Sequence, residues 1–101
     1  MVEIKVKKLE SLWQQSKGLM GQTPYPVLLT TRWGIHTFFM KDSIDVVILD
    51  PKNHISVLKR SLKPWRMFVW NPMLETVLEL PKGTIDKLDL KKGDAVKVSY
   101  K

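Results

Sequence analysis

Val46-Val47-Ile48-Leu49 is apolar at every position, and successive side chains of a strand point to opposite faces, so this run needs cover on both sides of a sheet. The chain must therefore build on each face of it. Asp50-Pro51-Lys52-Asn53 follows at once as a strong turn signal, and Ile55 to Leu58 supplies the return strand of a hairpin. A central, doubly covered strand is the constraint that every other segment has to satisfy.

Val2, Ile4 and Val6 alternate with Glu3, Lys5 and Lys7, the period of a half-buried strand, before Leu9, Leu12 and Trp13 change to a helix stripe that Gly18 can stop. Pro24 and Pro26 predict an extended entry to a strand over Val27 to Thr31, and Phe38-Phe39-Met40 predicts another. Pro64 restricts Lys63 to extended backbone, Met67 to Trp70 reads as a strand, and Asn71-Pro72 turns the chain. Thr76, Leu78 and Leu80 then alternate with Glu75, Val77 and Glu79, which predicts a strand with Glu75 and Glu79 on one, solvated face. Thr84 can cap a short helix carrying Ile85 and Leu88, Lys92-Gly93-Asp94 turns, and Val96, Val98 and Tyr100 close the chain as a strand. Many short strands with frequent turns predict a mainly β fold with one or two short helices, either an antiparallel β-barrel or a strongly bent sheet.

The 101 residues suit a single domain, 1–101, able to bury roughly 65% of its extended-chain surface. No apolar run approaches the ~18 residues a membrane-spanning helix needs, and the alternating start lacks the apolar core of a signal peptide. A cytoplasmic protein is the expectation. The absence of cysteine excludes disulfides, thiolate nucleophiles and Cys-based zinc sites, leaving His36 and His54 as the imidazoles. The net charge of +7 would attract polyanions, yet the 17 basic residues are mostly scattered lysines, among which Lys7-Lys8 and Lys91-Lys92 are the only adjacent lysine pairs. Weak, non-specific nucleic-acid binding follows from that pattern.

Enzymatic chemistry finds little purchase. His36, Asp42 and Asp45 are the one close trio of metal-binding residue types, and no HExxH or paired-His spacing accompanies them, so neither a metal nor another cofactor is expected. The serines lack a nucleophile-elbow setting, and the separated glycines form neither a P-loop nor a dinucleotide fingerprint. Binding is better supplied. Trp33, Trp65 and Trp70 sit beside polar or turn residues, where a partly exposed indole offers a flat platform, while Met20, Met40, Met67 and Met73 read as core fillers. His36 is the group able to titrate near neutral pH, Lys41 should face outward if Met40 faces the core, and Glu79 adjoins the Pro81 to Gly83 turn, where a carboxylate could accept backbone N–H bonds.

Gly18-Leu19-Met20, His36-Thr37-Phe38-Phe39-Met40-Lys41, Asp45 to Asp50, Lys63-Pro64-Trp65 and Leu78 to Thr84, in that order, resemble the uncharacterised family called domain of unknown function 192 from about residue 17 to 98. The resemblance implies a small, mainly β fold with a barrel-like sheet and brings no activity, cofactor or substrate. Leu80 to Val98 is also similar to the swapped-hairpin half of AbrB-type regulators, which bind DNA as dimers. These readings point to a non-catalytic binding or interaction domain whose ligand surface uses Trp33, His36, Lys41, Asp45, Trp65 and Glu79 and takes a small ligand or a protein. The alternatives are a nucleic-acid-binding module and a small hydrolase or transferase working through His36 with Asp45 or Glu79.

Overall fold

The doubly apolar strand is at the centre. In the computed structural model, which describes residues 2–8, 26–32, 34–37 and 42–100, β4 (Ile44–Leu49) is buried at all six positions and pairs antiparallel on one side with β5 (Ile55–Leu62) and on the other with β7 (Thr76–Pro81). The β4–β5 turn is the one expected from Asp50-Pro51. Asp50 Oδ1 accepts the N–H groups of Lys52 (2.8 Å) and His54 (2.9 Å), and the bond from His54 leads in holding this carboxyl below the usual carboxylate range.

β7 pairs onward with β2 (Val27–Thr30), and β1 (Val2–Lys8) lies between β2 and β8 (Val96–Tyr100), giving the sheet order β5-β4-β7-β2-β1-β8. β1 runs parallel to both its neighbours, a departure from the antiparallel pairing of the expected barrel. Hydrophobic alternation fixes which face a strand buries and is silent about its direction. The barrel expectation gives way to the bent sheet, because the edges β5 and β8 meet only at a corner, through the His54–Ala95 bridge and the bond from Ile55 N–H to Asp94 O (2.9 Å). Further along β5 the short helix α1 (Thr84–Lys87) is attached instead, by Arg60 Nε donating to Asp86 (2.9 Å).

Each face of the sheet carries its own apolar cluster. One gathers Val6, Leu28, Val47, Leu49, Leu78 and Leu80 under Ile85 and Leu90 of the α1 segment. The other gathers Val27, Leu29, Val46, Ile48 and Val77 under a two-stranded flap, β3 (Ile35–His36) paired antiparallel with β6 (Met67–Phe68), with Phe68, Trp70 and Leu74 packed against it. The expected strand from Met67 to Trp70 is thus only two residues long. Met67 and Met73 are exposed instead of filling the core, and β7 has no solvated face, since Val77 to Leu80 are all buried. Gly34 opens β3 at φ +98°, and a Cβ there would stand 2.8 Å from both Phe68 O and Val69 Cγ1, so the flap closes tightly only on glycine. The helix read over Leu9 to Trp13, the strand over Phe38 to Met40, and Met20, Trp33 and Lys41 lie outside the described residues.

Candidate functional site

Four of the six surface residues named from the sequence fall within the described residues, and the sheet separates them. Asp45 pairs in register with Leu80 and Val46 with Glu79, so the two acids project from opposite faces. Asp45, 1% exposed, faces α1: Oδ2 accepts the Ile85 N–H at 2.9 Å and Oδ1 the Ser61 N–H at 3.0 Å. The Ser61 bond exists because β5 carries a bulge there, with Ser61 at φ +52°, which turns its N–H out of the β4–β5 ladder. The carboxylate that caps the turn after Pro81 is therefore Asp45 and not Glu79. Thr84 does not cap the helix either, for its hydroxyl donates back to Pro81 O at 2.6 Å.

Glu79 faces the flap side, between Val46 and Val27, and is 3% exposed. No hydrogen bond or ion pair holds its carboxyl among the described residues, and burial pushes its pKa up from 4.5 to about 7. His36 lies on the outer side of the flap beside Met67, while its neighbour Ile35 packs inward. Trp65 is 56% exposed at φ +62°, a backbone conformation that a bulky residue adopts only when its surroundings fix it.

What fixes Trp65 is Thr37, fully buried, whose polar atoms are all engaged with the 63–66 loop. The Thr37 hydroxyl donates to Lys63 O (2.6 Å) and accepts from Arg66 N–H (2.9 Å), its N–H donates to Arg66 O (2.9 Å), and its carbonyl accepts from Trp65 N–H (3.0 Å). Two of the sequence motifs, His36-Thr37 and Lys63-Pro64-Trp65, thereby become one structure, and His36 and Trp65 share the flap. Beside this clamp runs a half-open groove of about 400 Å³, lined by Lys59, Ser61, Lys63 and Arg66 on its polar side and Leu62, Met67 and Phe68 on its apolar side.

The groove belongs to the flap face, because Lys59 pairs with Val46, which pairs with Glu79. Its three cations have no acidic partner among the described residues, whereas Arg32, Arg60, Lys82 and Lys91 are matched with Glu75, Asp86, Asp42 and Asp89. Sequence reasoning passed over Thr37, Lys59, Lys63 and Arg66. The signal available was the cationic and turn-forming company of Trp65, taken as a setting for the ring and not as a site in itself. Asp45 spends both oxygens on backbone N–H groups of the α1 face, whereas His36 is on the flap over the other face, so Asp45 does not stand with His36 as a catalytic pair. Among the described residues no three of His, Asp and Glu come together as metal ligands would, and no helix is long and apolar enough to cross a membrane.

The family profile of DUF192, an uncharacterized ACR, matches residues 1–98. A UPF0127 protein of Pyrococcus horikoshii is 34% identical over 102 residues, covering 94% of this chain and 88% of that protein. A UPF0127 protein of Thermococcus sibiricus is 42% identical over 62 residues, spanning 61% of this chain and 40% of that relative's length. Among solved structures, one from Sinorhizobium meliloti 1021, described as a candidate transcription regulator, superposes with a TM-score of 0.72 at 19% identity over 89% of this chain and 78% of its own. A protein of unknown function from Novosphingobium aromaticivorans superposes equally, TM-score 0.72 at 16% identity, over 89% of this chain and 71% of its own. At such identities these two establish the fold alone.

Proposed function

The chain belongs to the DUF192 family, and from that premise we propose that it is a non-catalytic binding domain that takes an anionic ligand in the groove beside the flap. One observation carries the reading: Lys59, Lys63 and Arg66 line a single concavity, and none of the three has an acidic partner among the described residues. Cations gathered on a mount fixed by Thr37 are ready to meet a negative group with little ordering cost. Of the surface expected from the sequence, Trp33, His36, Lys41, Asp45, Trp65 and Glu79, this reading keeps His36, paired with the lining residue Met67, and Trp65, next to the lining residue Arg66. Titration of inorganic phosphate and of glutamate-containing peptides against backbone amide shifts tests the proposal. Shifts should concentrate between Lys59 and Phe68, and a response spread evenly over the surface lysines would oppose it.

A nucleic-acid role is the second reading, favoured by the net charge of +7 and by the Sinorhizobium meliloti protein of similar fold, described as a candidate transcription regulator. Scattered lysines support only weak retention on DNA, which should vanish by about 0.2 M salt because counterion release makes such binding steeply salt-dependent. Sequence-selective binding that survives that salt would promote this reading over the first.

A further inference from the structure

We propose that the occupant of the groove is a short acidic peptide segment of a partner protein, with carboxylates on Lys59, Lys63 and Arg66 and an apolar side chain against Met67 and Val69. The inference rests on the binding reading above and names its partner class. Of the six large hydrophobic residues exposed among the described residues, four, Trp65, Met67, Val69 and Met73, fall in residues 65–73; Met67 lines the groove, and Trp65 and Val69 adjoin lining residues in sequence. Isolated exposed apolar side chains are ordinary, but a run of them adjoining a cationic groove is the mixed surface that protein partners use.

The same residues argue against a nucleic acid. Phosphates and bases can use the three cations and the Trp65 ring without calling on Met67 and Val69, whereas a peptide with apolar side chains uses both sides of the groove, and an unbranched thioether adapts readily to such side chains. The surface is also built to stay in place. Gly34 lets the flap close against Phe68 and Val69, Trp70 Nε1 donates to Leu74 O at 2.7 Å, and Thr37 clamps the loop that carries Lys63 and Arg66.

The test uses the full chain at near-physiological salt with four probes: a peptide alternating glutamate and leucine, an all-glutamate peptide, single-stranded oligothymidylate, and inorganic phosphate. The glutamate–leucine peptide should bind at least tenfold more tightly than the other three and shift the amides of Lys59 to Val69. Lys63→Glu with Arg66→Glu should abolish that binding. Met67→Ser with Val69→Ser should weaken the glutamate–leucine peptide severalfold and leave the all-glutamate peptide unchanged. All four sites are exposed, so the variants should keep the parent amide spectrum elsewhere. Equal affinity for the two peptides, or tighter binding of oligothymidylate, would overturn the peptide assignment while leaving the anion groove standing. If none of the four probes moves the groove amides, both the assignment and the binding reading fall.

Discussion

Asp45 and Glu79 lie on neighbouring strands, one register position apart and almost equally buried, yet the two faces of the sheet treat them differently. On the α1 face Asp45 has two backbone N–H donors and fastens β4 to the β5 bulge and to the first turn of α1. On the flap face Glu79 has apolar strand neighbours and no donor among the described residues, so burial favours its neutral form. Burial alone does not assign a carboxyl its role; the supply of donors does. The contrast extends to the surface. The buried acid of the α1 face is satisfied internally, while the flap face carries, at its rim, exposed apolar side chains and three cations with no acidic partner among the described residues.

The largest effect that tests this contrast is on Asp45. Asp45→Ala should cost about 3 to 5 kcal/mol in urea unfolding, because the buried Ile85 N–H and the partly buried Ser61 N–H lose charge-assisted partners worth ~1.5 to 3 kcal/mol each. Asp45→Asn, which keeps one acceptor, should lose less. A cost below about 1 kcal/mol would mean that α1 is held by something else.

Glu79 should respond in the opposite sense. Its pKa is raised on folding from 4.5 to about 7, so its contribution to stability is intact below the unfolded value and lost as pH climbs through the folded one. Between pH 4.5 and 8 the parent should therefore lose about 3 kcal/mol on this account. Glu79→Gln should remove that slope, and the readout is the difference between unfolding at pH 5 and at pH 8, which cancels the cost of burying an amide. An unchanged slope in the variant would show that Glu79 has donors in the folded state and that the two acids are alike.

The flap's fit on the Glu79 face gives the next effect. Gly34→Ala should cost about 2 to 3 kcal/mol, since the methyl meets Phe68 O and Val69 Cγ1 at 2.8 Å on a backbone of positive φ. The groove amides should also lose protection from exchange. If stability falls and the groove stays protected, the flap does not shape the groove.

How much of this could be read beforehand depends on whether the cover of a strand lies near it in sequence. β4 and its hairpin were legible because Val46 to Leu49 is apolar at every position and Asp50-Pro51 turns at once. β7 was misread because Leu78-Glu79-Leu80 has the alternation of a half-solvated strand, and the flap that packs on its Val77 side comes from β3 and β6, distant in the chain. Met67 and Met73 were assigned to the core on hydrophobicity, which does not reveal that the flap presents Met67 outward and that Met73 sits exposed in a turn. The site was legible only as motifs in order. That Thr37 joins two of them follows from hydrogen bonds between segments far apart, which composition and periodicity do not encode.

The smallest expected effect sharpens the account of the α1 face. Arg60 Nε and Asp86 Oδ1 stand 2.9 Å apart between β5 and α1, with side chains 53% and 74% exposed, and the pair spans the same two elements as the buried Asp45. An exposed pair gains little in water and is screened by salt, so a double-mutant cycle of Arg60→Ala and Asp86→Ala should return a coupling of ~0.2 to 1 kcal/mol that fades at high salt. Asp45 has no such screening, and its loss should be nearly independent of salt. A coupling at Arg60–Asp86 that rivals the Asp45→Ala cost would move the attachment of α1 from the buried acid to the surface. The distinction between a face fastened from within and a face left open at its rim would then need another basis.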